Sequence, residues 1–281
     1  SLINDYVKLN GKILLGFELI KIEEYKKKLC KITIVKNGKE KIIICHNLFL
    51  CCGAPYTLQL LHKNKLIDKS INNNFHFHPM VKIIAKFNER VNSKKNMEII
   101  NSQITEFYPK YIIGNAASGS QFLKIATYTN KLFHEDVTQN SDYMSIFHCT
   151  FSLGSSKFTY LPLLNEPIIK YKLSLQDITT IKDGIENLVK FAFSCGAEYI
   201  YFLGNKIKKL ENFLSLDFKN IKIEELNLSS VHLLGGLKMG EDKKFCIDIG
   251  GKLKNTRLNI YVNDSTLISE KLLKNPQNAI M

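Results

Sequence analysis

The stretch from His232 to Met281 constrains the fold of this chain more than any other part of the sequence. It contains a histidine before a glycine pair, then an apolar run from Leu258 to Val262, with Asp264 and Ser265 just beyond that run. A strand that ends on a carboxylate and a hydroxyl is how an α/β sheet presents polar groups to a ligand at its carboxyl edge. Asn275 lies near the other end of the stretch, so only a folded site can bring it to the histidine.

The same stretch resembles the C-terminal end of the glucose-methanol-choline (GMC) family of flavin-dependent alcohol oxidoreductases. The family pattern there is roughly H-P/L-x-G-T-C-R-M-G, then V-D…G-R-V, then N-L-Y-V-x-D-A/G-S, then N-P-Q-x-T-I-M. The resemblance is specific because many matches fall in order at near-family spacing. The matching residues are His232, Gly235, Met239, Gly240, Asp248, Gly251, Asn259, Tyr261, Val262, Asp264, Asn275, Pro276, Gln277, Ile280 and Met281.

The resemblance implies an FAD-dependent oxidoreductase that acts on the CH–OH group of an alcohol and passes a hydride to the flavin. His232 takes the position of the family's base, and imidazole titrates near neutrality, as removal of a hydroxyl proton requires. Asn275 takes the position of the asparagine that hydrogen-bonds the substrate oxygen without carrying charge. The positions implied to contact the cofactor at this end of the chain are Asp264, Ser265, Pro276 and Gln277.

Two of these positions also have ordinary structural interpretations. His232 without the surrounding motif is typical of a satisfied histidine in a glycine-rich turn. Asp264 and Ser265 are also typical of a helix N-cap behind a strand, and both roles can hold because family members place cofactor oxygens at such an end. The chain departs from the family where Gly236-Leu237 replace Thr-Cys and Leu273-Lys274 replace Gly-Val, which leaves the substrate open.

The first part of the chain predicts sheet strands and a close backbone turn. Lys12 to Ile22 and the continuous apolar run Asn47 to Cys52 are typical of strands, the second one buried. Gly53 and Ala54 follow, as in the family segment A-G-A-x-x-T-P, and a glycine there lets the backbone approach a ligand closely. By resemblance these two residues contact the cofactor, and Leu19 lies on the strand whose backbone meets the adenine. An ordinary sheet strand fits the residues around Leu19 equally well.

A turn signal predicts a separate hairpin of two further strands, in the part of the sequence between the two strands just described. Leu29 to Val35 and Lys41 to Cys45 alternate apolar and polar residues on either side of Asn37-Gly38. Asn-Gly between two alternating runs is a strong signal for a tight hairpin.

The segment from Asn72 to Pro79 resembles the family's G-x-N-L/F-x-x-H-P. Asparagine replaces the leading glycine, and it also tolerates a positive φ. The resemblance implies that His78 packs beside the flavin site. The alternative is a metal pair of His76 and His78, but two histidines are fewer than the ligands of a zinc site, so we predict no metal.

From Met80 to about Ser230 the pattern predicts an α+β domain with an antiparallel sheet and its helices on one side. Val81 to Phe87 is typical of a strand, and Met144 to Tyr160 alternates like a pair of strands around Gly154-Ser155. This part resembles the family's substrate domain.

One long helix is predicted inside this domain. Ser174 and Asp177 form a capping-box pattern, and an amphipathic run continues through Phe193. Gly196 is the expected C-terminal stop.

One family feature is missing, because no strand runs into a G-x-G-x-x-G turn and a helix. The chain therefore resembles roughly the second half of such an enzyme. We expect a partial FAD-binding domain of the Rossmann-like α/β type from residues 1–79 and 231–281, with the substrate-binding domain at 80–230. The expected partners are an alcohol substrate and the missing N-terminal half, on the same or a separate chain. The chain alone is expected to be inactive.

The net charge is the one feature of the composition that suggests a function other than an oxidoreductase. The net charge of +13 raises nucleic acid or an acidic membrane surface as partners. The lysines are spread along the chain and no binding motif accompanies them, so we predict no nucleic-acid role. No apolar run reaches the length of a membrane span. Seven cysteines without a CxxC favour reduced thiols and a cytoplasmic compartment.

Two alternative functions stay open at this point. A non-catalytic remnant or accessory subunit would keep the fold but lose the cofactor. A basic nucleic-acid-binding protein is the second alternative, and a salt-dependent DNA titration would test it. The sequence does not specify the alcohol or the acceptor that reoxidises the flavin.

Overall fold

A computed structural model of this mixed α/β chain describes residues 2–26, 28–68, 71, 75–92, 102–159 and 166–268. Its helices are α1 (Leu2–Lys8), α2 (Ala54–Lys63), α3 (Ser120–Thr127), α4 (Lys131–Asn140) and α5 (Leu175–Ser194). Its strands are β1 (Glu18–Tyr25), β2 (Leu29–Lys36), β3 (Lys39–Cys45), β4 (Asn47–Leu50), β5 (Phe75–Phe77), β6 (Met80–Phe87), β7 (Gln103–Ile104), β8 (Tyr111–Asn115), β9 (Met144–Phe151), β10 (Ser155–Thr159), β11 (Ile168–Lys172), β12 (Ala197–Leu203), β13 (Ile207–Leu210), β14 (Leu233–Gly235) and β15 (Asn259–Val262).

The described residues group into two compact units. The first unit draws on residues within 1–74, 158–169 and 234–269, and the second on residues within 75–157 and 170–233. Segments from both ends of the chain therefore come together in the first unit. The assignment of a cofactor domain and a substrate domain stays a prediction.

The first unit contains a three-stranded antiparallel sheet in the order β1-β2-β3. The predicted hairpin is confirmed, and both of its turn residues have positive φ, 50° for Asn37 and 74° for Gly38. This combination is the requirement of a two-residue turn that matches strand twist. The strand predicted from Lys12 starts only at Glu18, because Gly16 at φ 77° turns the chain before it.

A parallel pair of short strands forms another sheet of this unit. β4 pairs with β15 from Asn47↔Asn259 to Leu50↔Val262. The prediction that Asn47 to Cys52 is a buried strand is wrong in extent and in burial. Leu50 is buried, but Phe49 is 60% exposed and stacks on Tyr261 at 4.9 Å between ring centroids. A parallel strand is buried throughout only where other elements cover both faces of its sheet.

The second unit is built on a six-stranded sheet, which confirms the predicted antiparallel sheet. Its strand order is β13-β12-β6-β9-β8-β7, and every neighbouring pair is antiparallel. β9 and β10 both form where the alternation around Gly154 predicts them. They join different sheets, however, because β10 pairs with β11.

Helices cover both faces of this sheet, so the prediction of helices on one side only is wrong. α5 packs on one face, where Ile83, Phe151 and Leu188 belong to one buried cluster. On the other face Leu123 of α3 and Val137 of α4 belong to a second buried cluster. These two helices bury only three residues between them, which explains why their apolar periodicity is weak in the sequence.

The long predicted helix is confirmed as α5, together with its caps. The Ser174 hydroxyl accepts a hydrogen bond from the Asp177 amide at 3.1 Å, and the Asp177 carboxylate accepts one from the Ser174 amide at 2.7 Å. This reciprocal pair satisfies two amide donors at the helix N-terminus. Gly196 follows the helix with φ 87°, as a C-terminal glycine does. None of the described helices is both long and apolar enough to cross a bilayer.

Gly184 sets how closely α5 approaches the sheet. An ideal Cβ on Gly184 would lie 2.5 Å from Phe151 Cε1 and 2.8 Å from Cys149 Sγ. Both partners are fully buried, so neither can move aside into solvent.

We predict that Gly184→Ala destabilises the protein although alanine is the better helix former. The added methyl overpacks the core, which costs about 1–3 kcal/mol, more than the ~1 kcal/mol gained in helix propensity. Urea unfolding measures the change. Thr179→Ala on the exposed face of α5 is the control, and Phe151→Leu should recover part of the loss in the double variant. A Gly184→Ala protein at least as stable as wild type would contradict this packing.

Candidate functional site

Two histidines predicted separately from sequence motifs lie in contact in the second unit. His78 follows β5 and His232 precedes β14, and their Nδ1 atoms are 3.1 Å apart. The rings meet edge to face with centroids at 5.3 Å and planes at 83°. His78 is 1% exposed, while His232 is half-buried. A histidine with one accessible side and one buried partner suits proton transfer to a ligand.

A short run of backbone pairing holds the histidines together. The Met80 amide donates to the Ser229 carbonyl at 2.8 Å, and the Ser229 amide donates to the Met80 carbonyl at 3.3 Å. The Ser230 hydroxyl accepts from the His78 amide at 3.1 Å and donates to the His232 carbonyl at 2.9 Å. The two histidine backbones are thus joined through a single hydroxyl, which limits the ring positions.

The contact between the two Nδ1 atoms fixes how many protons the pair can hold there. One ring must donate and the other must accept, because each nitrogen carries either a hydrogen or a lone pair. If His232 donates, its Nε2 keeps a lone pair and can take a proton from a ligand. If His78 donates, His232 carries its hydrogen on Nε2 and cannot act as a base there.

Burial lowers the pKa of His232 below the ordinary value for histidine. The ring is therefore neutral at neutral pH, which is the state a general base requires.

A second cluster, in the first unit, surrounds the carboxylate of Asp264 just after β15. One carboxylate oxygen accepts from the Gly53 amide at 3.0 Å and from the Thr57 hydroxyl. The other accepts from the amide of Thr266 at 2.8 Å and from its hydroxyl. Asp264 is also the N-cap of a 3-10 turn, Ser265–Leu267. The N-cap interpretation is confirmed, and the same carboxylate ties the end of β15 to the turn after β4.

Gly53 gives this cluster an open side. It has φ 84° and caps the N-terminus of α2 without a side-chain hydrogen bond. Apart from Gly53 itself and its two neighbours in the chain, no described atom lies within 4 Å of where its Cβ would stand. The glycine therefore combines a left-handed turn with space beside the backbone, at the carboxyl ends of two parallel strands. A helix N-terminus at such an edge favours an anionic ligand group.

Three other predicted site residues lie in the first unit. Leu19 lies in β1 opposite Ile34, at a bulge in the antiparallel sheet. Ser265 begins the 3-10 turn, and Ala54 is buried at the start of α2. The predicted residues that lie outside the described residues are Asn275, Pro276 and Gln277.

Three hydroxyl residues that shape the two clusters are not among the site residues predicted from the sequence. Thr57 carries a signal, because it matches the threonine of the family segment A-G-A-x-x-T-P. Thr266 and Ser230 carry none, since their roles depend on backbone pairing between distant segments. Among the described residues, no group of three or more histidine, cysteine or acidic side chains is arranged to hold a metal ion.

Comparison with known proteins relates the chain to GMC-type oxidoreductases. It is 29% identical over 248 residues to the uncharacterized GMC-type oxidoreductase y4nJ of Sinorhizobium fredii, which covers 83% of this chain and 47% of that protein. Its fold matches the crystal structure of pyridoxine 4-oxidase from Mesorbium loti with a TM-score of 0.62 and 14% identity, over 92% of this chain and 54% of that one. No protein-family model matches the sequence. The chain spans about half the length of the relatives it matches.

We predict that Asp264→Ala destabilises the protein by about 1–3 kcal/mol, the usual cost of leaving buried donors without their acceptor. The Gly53 amide and the buried hydroxyls of Thr57 and Thr266 all lose a partner in this variant. Urea unfolding followed by circular dichroism measures the loss.

The matched control is Asn263→Ala, one residue earlier and exposed. Its contact with Leu50 is made by the backbone amide, so the substitution keeps it. Equal stability of the two variants would show that the carboxylate does not brace this turn.

Proposed function

We propose that this chain, a homologue of GMC-type oxidoreductases, belongs to an FAD-dependent enzyme that oxidises the CH–OH group of an alcohol. The observation that carries the proposal is the contact between His78 and His232. Both are histidines of the motifs that resemble the family, and their pairing leaves one imidazole edge available to a substrate.

The first unit offers a suitable edge for the cofactor. The residues that would hold part of FAD are Gly53 and Ala54, at the open N-terminus of α2. Asp264 would act indirectly, because its carboxylate oxygens already accept four hydrogen bonds from the protein. When bound, the flavin of FAD accepts the hydride from the carbinol carbon.

His232 removes the hydroxyl proton of the alcohol. It accepts this proton on Nε2 while its Nδ1–H donates to His78. The lowered pKa of His232 keeps the ring neutral before the reaction, so the lone pair is available. Loss of this proton to the ring, together with the hydride that bound FAD would accept, would convert the alcohol into the aldehyde or ketone.

His78 positions the base and stabilises the charge that forms on it. A neutral His78 that accepts the Nδ1–H of His232 fixes the tautomer with a free Nε2. Once His232 is an imidazolium, the same hydrogen bond becomes charge-assisted and therefore stronger. Burial of His78 strengthens the effect because water does not compete for the proton.

In the full-length protein, His232→Ala should lower alcohol turnover by about two or more orders of magnitude, the usual scale for a positioned general base. The flavin content should stay the same, because His232 is not among the residues that would hold FAD. In the wild type, kcat/KM should fall only below the ordinary histidine pKa of about 6.5, since burial lowers the pKa of His232 and the base must be neutral.

The control is His134→Ala, which removes a histidine of α4 outside the site. Turnover of His232→Ala within a few-fold of this control would remove His232 from the mechanism.

His78→Ala should lower kcat by about tenfold, the rate equivalent of ~1.4 kcal/mol. It should also move the acid limb of the kcat/KM profile to lower pH, because loss of an acceptor for the imidazolium lowers the pKa of His232. His78→Asn supplies an amide oxygen as acceptor and should recover part of both effects.

A purely structural role for His78 predicts a different result. Loss of stability alone would lower the amount of active enzyme and leave the pH profile in place. An unchanged profile in both variants would therefore reject the positioning role.

A further inference from the structure

A cavity of about 470 Å³ lies within the second unit, on the face of the six-stranded sheet that carries α3. Its volume is in the range of small-molecule sites. Much of its wall is apolar, and three of the side chains that line it are largely exposed: Phe122 at 43%, Ile125 at 66% and Tyr128 at 74%. Exposed apolar side chains gathered around a concavity favour a ligand with an apolar body.

One cation lines this apolar cavity. Lys82 of β6 is half-buried there, and none of the lining residues is acidic. Lys82 forms no ion pair with any carboxylate in the described part of the chain, whereas Lys86, on the same face of the strand, binds Glu198 at 2.8 Å.

The residue opposite Lys82 does not compensate its charge. His148 of β9 faces it across the strand pair. Burial, and then the charge of Lys82, lowers the pKa of His148 to about 4, so the ring is neutral at neutral pH. A partly buried ammonium that no described carboxylate neutralises attracts an anion more strongly than an exposed one does.

The cavity borders the backbone pairing that holds the histidine pair, and neither histidine ring lines it. Ser229 lines the cavity, pairs with Met80, and lies three residues before His232. Lys82 is two residues beyond Met80 along β6, which corresponds to about 7 Å. A ligand held against Lys82 would therefore extend along the strand toward the two histidines.

We propose that this cavity binds the substrate, and that the substrate is an alcohol with an apolar body and an anionic group that pairs with Lys82. The proposal rests on the proposed function only where it identifies the ligand of the cavity as the substrate of the enzyme. The site itself is an apolar cavity with one cation that has no ion-pair partner among the described residues, and it stands on the geometry of the second unit.

Equilibrium binding to the full-length protein tests the site by affinity rather than by rate of turnover. Isothermal titration calorimetry would compare octanoate, octyl phosphate, 1-octanol and octylamine, which share an alkyl chain and differ in head group. The two anions should bind about tenfold tighter than 1-octanol, equivalent to ~1.4 kcal/mol and in the range of a charged hydrogen bond. Octanoate against octyl phosphate distinguishes a carboxylate site from a phosphate site, and octylamine should bind most weakly.

Variants then assign the preference to one side chain. Lys82→Met keeps the apolar stem and should abolish the preference for anions, while the affinity for 1-octanol changes little. Lys82→Arg should keep the preference. Lys110→Met, at an exposed lysine of the same unit, removes the same charge elsewhere and should leave all four affinities in place.

Two results would overturn the proposal. The first is equal affinity of octanoate and 1-octanol in the wild type. The second is a preference for anions that survives in Lys82→Met. Should that variant fail to fold, the wild type still decides, because the affinity for octanoate must fall with added salt while that for 1-octanol does not.

The same titration in His232→Ala separates this proposal from the proposed function. Binding of the anions should be retained there whether or not turnover is lost. If His232→Ala stays active, the role of His232 as the base is rejected and the anion site is unaffected. If the preference for anions is absent, the anion site is rejected and the role of His232 is unaffected.

Discussion

The carboxylate of Asp264 is the interaction on which the first unit depends. It joins Gly53 and Thr57 to a residue more than 200 positions later in the chain, and through them it fixes the carboxyl ends of β4 and β15 at one edge. All described residues of the second unit lie between these strands in sequence, so local propensity cannot bring the strands together. Charge-assisted hydrogen bonds to a carboxylate are stronger than neutral ones, which suits a contact with so large a loop-closure cost.

Structural elements whose conformation depends only on residues close in sequence could be predicted from the sequence. The Asn37-Gly38 turn and the Ser174–Asp177 capping box form as predicted, because their geometry depends on residues within one turn of the chain. The burial of Phe49 and the sides on which helices cover the large sheet could not be predicted in this way. Both depend on which distant element packs on a given face of the sheet. The apolar pattern of a strand is the same whether or not another element covers that face.

The candidate site shows the same division. His78 and His232 could each be found from a motif, but their contact depends on the pairing of Met80 with Ser229, which no local pattern specifies. Lys82 had no signal at all, because a lysine at an alternating position in a strand is typical of a solvent-facing side chain. Only the assembled sheet distinguishes it from Lys86, whose charge is compensated by Glu198.

The cation at Lys82 bears on the chemistry of the histidine pair through position rather than through charge, because burial is what lowers the pKa of His232. An anionic group bound at Lys82 would hold the hydroxyl of the same ligand at a fixed place relative to His232. A neutral alcohol would lack this anchor, so its hydroxyl would lie beside the base less often even if it occupied the cavity equally well. Discrimination would then arise in the transition state as well as in binding, which is where selectivity increases kcat rather than affinity alone.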